Sequence, residues 1–136
     1  MRTAVLFAVV GMVDWGFWAL FADLATETLS PEAAMVISYA GGVAVALGYI
    51  AAGPGSVSLS GPGVTYALAG GLFSGVGAIS YYAALKSGSA AVATTVTGLY
   101  FVVAAVLAVL VLGESLSAKD VAGVALAVCA VALLAS

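Results

Sequence analysis

Residues 11–20 read GMVDWGFWAL, a carboxylate and two tryptophans set in an apolar run. A charge near the centre of a bilayer costs about 2.5–3.5 kcal/mol on insertion scales, so such residues are rare. Either this stretch is not a membrane span, or Asp14 has a task there. Composition removes the first alternative. Of 136 residues 65% are hydrophobic and 7% charged, with a mean hydropathy of +1.28. A soluble domain carries about 25% charged residues, and this chain has too few to cover a globular surface. It reads as an all-α integral membrane protein, with no stretch polar enough for a separate soluble module.

Outward from that stretch the chain divides into five apolar blocks bounded by turn chemistry. A span needs about 20 apolar residues. The first block runs from about Ala4 to Phe21 and ends at the acidic ADLATETLSPE. Ser30-Pro31-Glu32 reads as an N-cap, an N1 proline and a first-turn acid opening the second block, about 33–52. The uncharged GPGSVSLSGPG, residues 53–63, is a glycine/proline loop. The third block covers about 64–85 and stops at Lys86-Ser87-Gly88; the fourth covers about 90–113 and ends at Glu114. Ser117 with Asp120 three residues later forms a capping box that opens the fifth, about 118–135. Residues 1–136 are thus expected to form one transmembrane domain. Arg2 and the apolar residues behind it resemble a signal peptide, but Asp14 and two tryptophans follow where small residues and a cleavage site should stand. A retained helix is expected.

Absent residue types exclude several chemistries. Without histidine there is no His-based triad and no His metal ligand. Cys129, the single thiol, lies in VALAVCAVALL and reads as a small hydrophobe. The glycines are scattered through apolar segments, without the lysine of a phosphate-binding loop. No enzyme activity, cofactor or metal is expected. Three basic against six acidic residues leave no footprint for nucleic acid.

Helices in lipid associate through small residues and interhelical hydrogen bonds. Gly71 and Gly75 have G-x-x-x-G spacing, and Ser38 with Gly42 repeats it; tight helix contact is the simpler reading of both. Thr94, Thr97 and Phe101 fall on one face of a continuous helix, with Tyr100 beside them. Their hydroxyls suit either a helix neighbour or a substrate. Around Asp14, helical spacing gathers Gly11, Phe17, Trp18 and Phe21, and Trp18 is one turn away, placed to donate its indole N–H to the carboxylate.

These residues also carry a family resemblance. WGFWALFADLAT, residues 15–26, is similar to the Trp-Gly signature that opens a repeat of the EamA family in the drug/metabolite transporter superfamily. Residues 81–134 resemble the second half of that repeat: the Tyr82–Lys86 end of the third helix, Leu99-Tyr100 in the centre of the fourth, and Leu112-Gly113-Glu114 at its exit. The resemblance covers essentially the whole chain. It implies five transmembrane helices forming one EamA-like repeat, where family members usually carry two in inverted orientation and export small metabolites. The family commonly has proline after the Leu-Tyr pair. Phe101 stands there instead, so the fourth helix is expected to run without a kink. Asp14 is not part of the Trp-Gly signature, and resembles the embedded carboxylate in the first helix of small multidrug resistance transporters.

Asp14 lies about ten residues into its helix, roughly 15 Å deep at 1.5 Å per residue. Away from water the charged form of a carboxyl is disfavoured, so an acid there can hold a proton and trade it for a cation. Trp15, Trp18, Tyr39 and Tyr81 are the aromatic faces a cationic substrate would meet, and Thr94, Thr97 and Tyr100 the polar positions of the fourth helix. The other acids read as solvated: Asp23, Glu27 and Glu32 on a loop, Glu114 and Asp120 at a helix–helix turn. The expectation is a multi-pass protein of the cell membrane that moves a small-molecule substrate. One repeat does not surround a midplane site, so a homodimer is expected. Arg2 and Lys119 fall on one side of the bilayer and Lys86 on the other, a bias too weak to impose one orientation. Dual topology and an antiparallel dimer follow. The competing reading is a non-transporting assembly partner of a larger membrane complex.

Overall fold

The computed structural model describes residues 2–53 and 57–134, so part of the 53–63 loop and the expected end of the fifth block at Ala135 lie outside the described residues. The described chain is helical: α1 (Arg2–Thr26), α2 (Pro31–Ala52), α3 (Gly61–Ser87), α4 (Ala90–Gly98), α5 (Tyr100–Leu112) and α6 (Ala118–Leu134). Among the described residues four stretches are long and apolar enough to cross a membrane: Thr3–Thr26, Pro31–Ala52, Gly61–Ser87 and Ala90–Leu112. The fourth contains both α4 and α5. With 17 described residues α6 is shorter, about 25 Å at 1.5 Å per residue.

The chain forms two compact units, Met1–Ser87 and Gly88–Ser136. In the first, α1, α2 and α3 pack pairwise. The α1 helix continues past the expected Phe21 to Thr26, which takes Asp23 off the loop and into its last turns. Alanines 22 and 25 favour the extension, and Thr26 Oγ1 donates back to the Asp23 carbonyl at 2.7 Å. Ser30 caps α2 as its spacing predicts, accepting from the Ala33 N–H at 3.3 Å with Pro31 in the first turn.

Burial in this unit is one-sided. Ala22, Thr26, Ala34, Ala78, Tyr81, Tyr82 and Leu85 are buried, all toward the end where the turn between α1 and α2 meets the last turns of α3. At the other end every described residue of 39–52 and 57–74 is exposed. The last tie before the helices part is Tyr39, whose hydroxyl meets the Ser74 carbonyl at 3.1 Å and the Ser74 hydroxyl at 2.5 Å. One residue on, Gly75 faces α2: a Cβ there would stand 3.5 Å from the Met35 methyl, ordinary van der Waals contact. Gly71, its partner in the G-x-x-x-G spacing, has open space.

In the second unit α4 packs on α6. The expected continuous fourth helix is interrupted at Leu99 although no proline follows Tyr100. The Leu99 N–H returns to the Val96 carbonyl at 3.1 Å and the Val102 N–H to the Leu99 carbonyl at 2.9 Å, tight i→i−3 bonds in place of the α-helical ladder. Gly98, preceded by Thr94, Thr95, Val96 and Thr97, supplies the cause. Glycine and β-branched residues are the weaker helix formers, and their run is long enough to tip one turn. Phe101 therefore belongs to a different helix from Thr94 and Thr97. Gly113 ends α5 in the left-handed region at φ 69°, which a side chain would strain. The Ser117–Asp120 box opens α6 as expected: the Ser117 N–H and hydroxyl donate to Asp120 Oδ2 at 2.9 and 2.6 Å, and the Asp120 N–H donates to Ser117 Oγ at 3.3 Å.

Candidate functional site

Asp14 is the central residue of the 25-residue α1, about 18 Å from either end at 1.5 Å per residue. It sits on the exposed side of that helix, where the packed part of the unit gives way to the open part. Among the described residues no hydrogen-bond donor meets its carboxylate.

Trp18, one turn on, does not serve Asp14. Its indole Nε1–H donates to Ser38 Oγ of α2 at 2.9 Å. The reason is packing: Trp18 belongs to the stripe Gly11, Trp18, Ala22, Ala25 and Thr26 that faces the other two helices. There its ring stacks on Tyr81 with centroids 5.3 Å apart and planes at 26°. It also meets Tyr82 edge-on, at 5.8 Å and 79°. The two tyrosines, 6.2 Å apart, are 4% and 1% exposed. Such aromatic pairs contribute about 0.5–1.5 kcal/mol beyond the area they bury. Trp18 and Tyr81 thus turn faces toward each other that the sequence reading assigned to a cation.

The other candidate residues separate in space. Trp15 stands beside Asp14 on α1 and is 62% exposed. Tyr39 commits its hydroxyl to α3 through Ser74. Thr94 and Thr97 lie on α4 and Tyr100 opens α5, so these three bracket the interruption at Leu99 in the second unit. Within the first unit the structure joins Trp18 to Tyr81 and adds Ser38 and Tyr82, which the sequence reading gave no chemical role. The tandem Tyr81-Tyr82 in an apolar run was the available signal for the cluster. For Ser38, a hydroxyl in mid-helix, the signal was the need for an interhelical partner.

Four helical stretches long and apolar enough to cross a membrane, among the described residues, define a polytopic membrane protein. The sequence model of the EamA-like transporter family matches residues 2–136. The chain belongs to that family, and carries the single repeat its Trp-Gly and Leu-Gly-Glu motifs led one to expect. Neither curated proteins nor solved structures yield a match.

Proposed function

We propose that this chain is a secondary transporter that moves a small metabolite or organic cation in exchange for protons at Asp14, working as an antiparallel homodimer in the cell membrane. The observation that carries the reading is the Asp14 carboxylate, central in the first span and without a hydrogen-bond donor among the described residues of its own chain. An embedded acid is a functional group by default, and one left unpaired is available to a proton or a cation. Family membership supports transport of a small molecule. The open halves of α2 and α3 support the dimer. Gly41, Gly42, Gly48, Gly70 and Gly71 all have open space where a Cβ would stand, the kind of small-residue surface on which helices in lipid associate. In this reading Trp15, Trp18, Tyr39 and Tyr81 are the aromatic side chains of the acid's own unit, and Thr94, Thr97 and Tyr100 are the polar candidates of the second unit.

The test is Asp14→Asn in proteoliposomes. The amide is nearly isosteric and removes the burial cost of a charge, so the fold should hold or gain stability. Uptake driven by a pH gradient should vanish, and any remaining exchange should ignore pH. Asp14→Glu should keep partial activity with a displaced pH profile. Transport by Asp14→Asn with the pH dependence of the unaltered protein would refute the assignment and move the search to Tyr81, Thr94, Thr97 and Tyr100.

A further inference from the structure

A cleft of about 230 Å³ opens at the packed end of the first unit, walled by Phe21, Ala25 and Ile37 and, further from the α1–α2 turn, by Trp18, Ser38 and Tyr82. Trp18 lies about 12 Å from the Thr26 end of α1, and Ser38 about 10 Å from the Pro31 end of α2, at 1.5 Å per residue. Tyr82 comes from α3 and meets the Trp18 indole edge-on. The inner end of the cleft is therefore well inside the membrane-spanning part of the unit.

Two hydroxyls in that inner wall donate to no described residue. A serine in a helix commonly donates to the carbonyl four residues back, and Ser80 and Ser87 do so at 2.9 and 2.7 Å. Ser38 does not. Its oxygen accepts the Trp18 indole N–H, and its own hydrogen has no acceptor among the described residues. The Tyr82 phenol makes no hydrogen bond to any described residue, although the side chain is 1% exposed. Every fully covered side-chain nitrogen or oxygen among the described residues has a partner. The phenol oxygen has none, so the sliver of Tyr82 left open is at that oxygen. Since Tyr82 is a wall residue, the oxygen opens into the cleft. In hydrocarbon no water serves such a donor, and leaving it unpaired is costly.

These features select the occupant. No charged side chain lines the cleft, so an ion would enter without a counter-charge. A lone water leaves most of the volume empty. A phospholipid tail fills it, but below its ester groups the tail is hydrocarbon and offers the hydroxyls no acceptor. Benzene, with its six carbons, fits a cavity of about 150 Å³, so 230 Å³ takes about nine non-hydrogen atoms.

We propose that the cleft binds one uncharged molecule of that size, an alkyl chain or ring carrying a carbonyl whose oxygen accepts from Tyr82 and Ser38. A carbonyl oxygen has two lone pairs, one for each hydroxyl. The hydrocarbon remainder lies along Ala25. Phe21 and Ile37, 64% and 61% exposed, put the entrance on the lipid-facing side, where such a molecule concentrates by partition. The site is distinct from Asp14, and its test involves no transport.

Methyl hexyl ketone is the probe, and nonane, of equal size without an acceptor, is its control. Titrated into the full chain in maltoside micelles, ketone labelled with a heavy isotope at its carbonyl carbon should show a lowered carbonyl stretch that saturates at one molecule per chain. Tyr82→Phe keeps the ring, removes only the hydroxyl, and should abolish the lowered band. Affinity is read in a Trp15→Phe background, which leaves Trp18 as the only tryptophan. Brominated nonane should quench Trp18, and the ketone should displace it about threefold to tenfold more readily than nonane does, the worth of one net hydrogen bond. With Tyr82→Phe added, the two should displace it equally. Ala25→Leu, which fills the cleft, should abolish the quenching while the helical circular dichroism is kept. An unshifted carbonyl band, or equal displacement in the presence of Tyr82, would overturn the proposal. So would quenching that survives Ala25→Leu, or a retained phospholipid that must be stripped before the ketone binds.

Discussion

The two ends of the Met1–Ser87 unit are built from similar residues and packed in opposite ways. At one end Tyr81, Tyr82, Leu85, Ala22 and Ala34 interlock, and polar groups are paired across helices. At the other, Tyr49, Tyr66 and Phe73 are about four-fifths exposed, and the glycines around them touch no other helix. Hydropathy does not distinguish the ends, because lipid tails are as apolar as leucine and give helices no hydrophobic reason to associate. What differs is interdigitation. Trp18 reaches across to Ser38 and onto two tyrosines, and beyond the Tyr39–Ser74 tie no described side chain bridges the helices. In a membrane, packing follows such specific locks and not composition.

The contrast breaks most visibly at Tyr82. Tyr82→Ala empties the best-buried position, and should cost about 3–5 kcal/mol, the range for large aromatic truncations in a core. Tyr49→Ala at the open end should stay within about 0.5 kcal/mol. Denaturant titration in micelles, followed by tryptophan emission, reads both; equal costs would mean that the ends are packed alike. A smaller loss is expected from Ser38→Ala, which strands the Trp18 indole N–H. Interhelical bonds in membranes average about 0.6 kcal/mol and reach about 1.7, and the same titration should return a value in that interval. The smallest effect sharpens the comparison instead. No described residue opposes a Cβ at Gly42, so Gly42→Ala should be neutral or stabilise α2 by up to about 1 kcal/mol. If that substitution lowers the yield of cross-linked dimer in native membranes, the open end is covered there by a second copy.

Much of this architecture was legible before any coordinates. The caps at Ser30 and Ser117 were readable because capping is decided within four residues, and the spans because lipid demands long apolar runs. The partner of Trp18 was not. Helical spacing pointed to Asp14 four residues away, but the hydroxyl that takes the indole lies 20 residues on, across a helix–helix contact. The interruption at Leu99 was missed for a different reason. The sequence reading gave proline the whole responsibility for kinks, and a run of threonine and valine ending in Gly98 achieved the same locally. Asp14 itself was visible as an anomaly, since an acid in an apolar run is conspicuous. That no described residue donates to it was not, because this depends on where the neighbouring helices part.

The interruption at Leu99 has a mechanical consequence. Residues 90–112 make a span of about 34 Å at 1.5 Å per residue, longer than a hydrocarbon core of about 30 Å. A straight rod answers such mismatch by tilting as a whole or by thickening the lipid around it. Two short rods joined at one residue can fold the excess length into a change of angle between them. Bilayer thickness can then be absorbed inside this one span, near its mid-depth, with α6 left free to keep its own inclination.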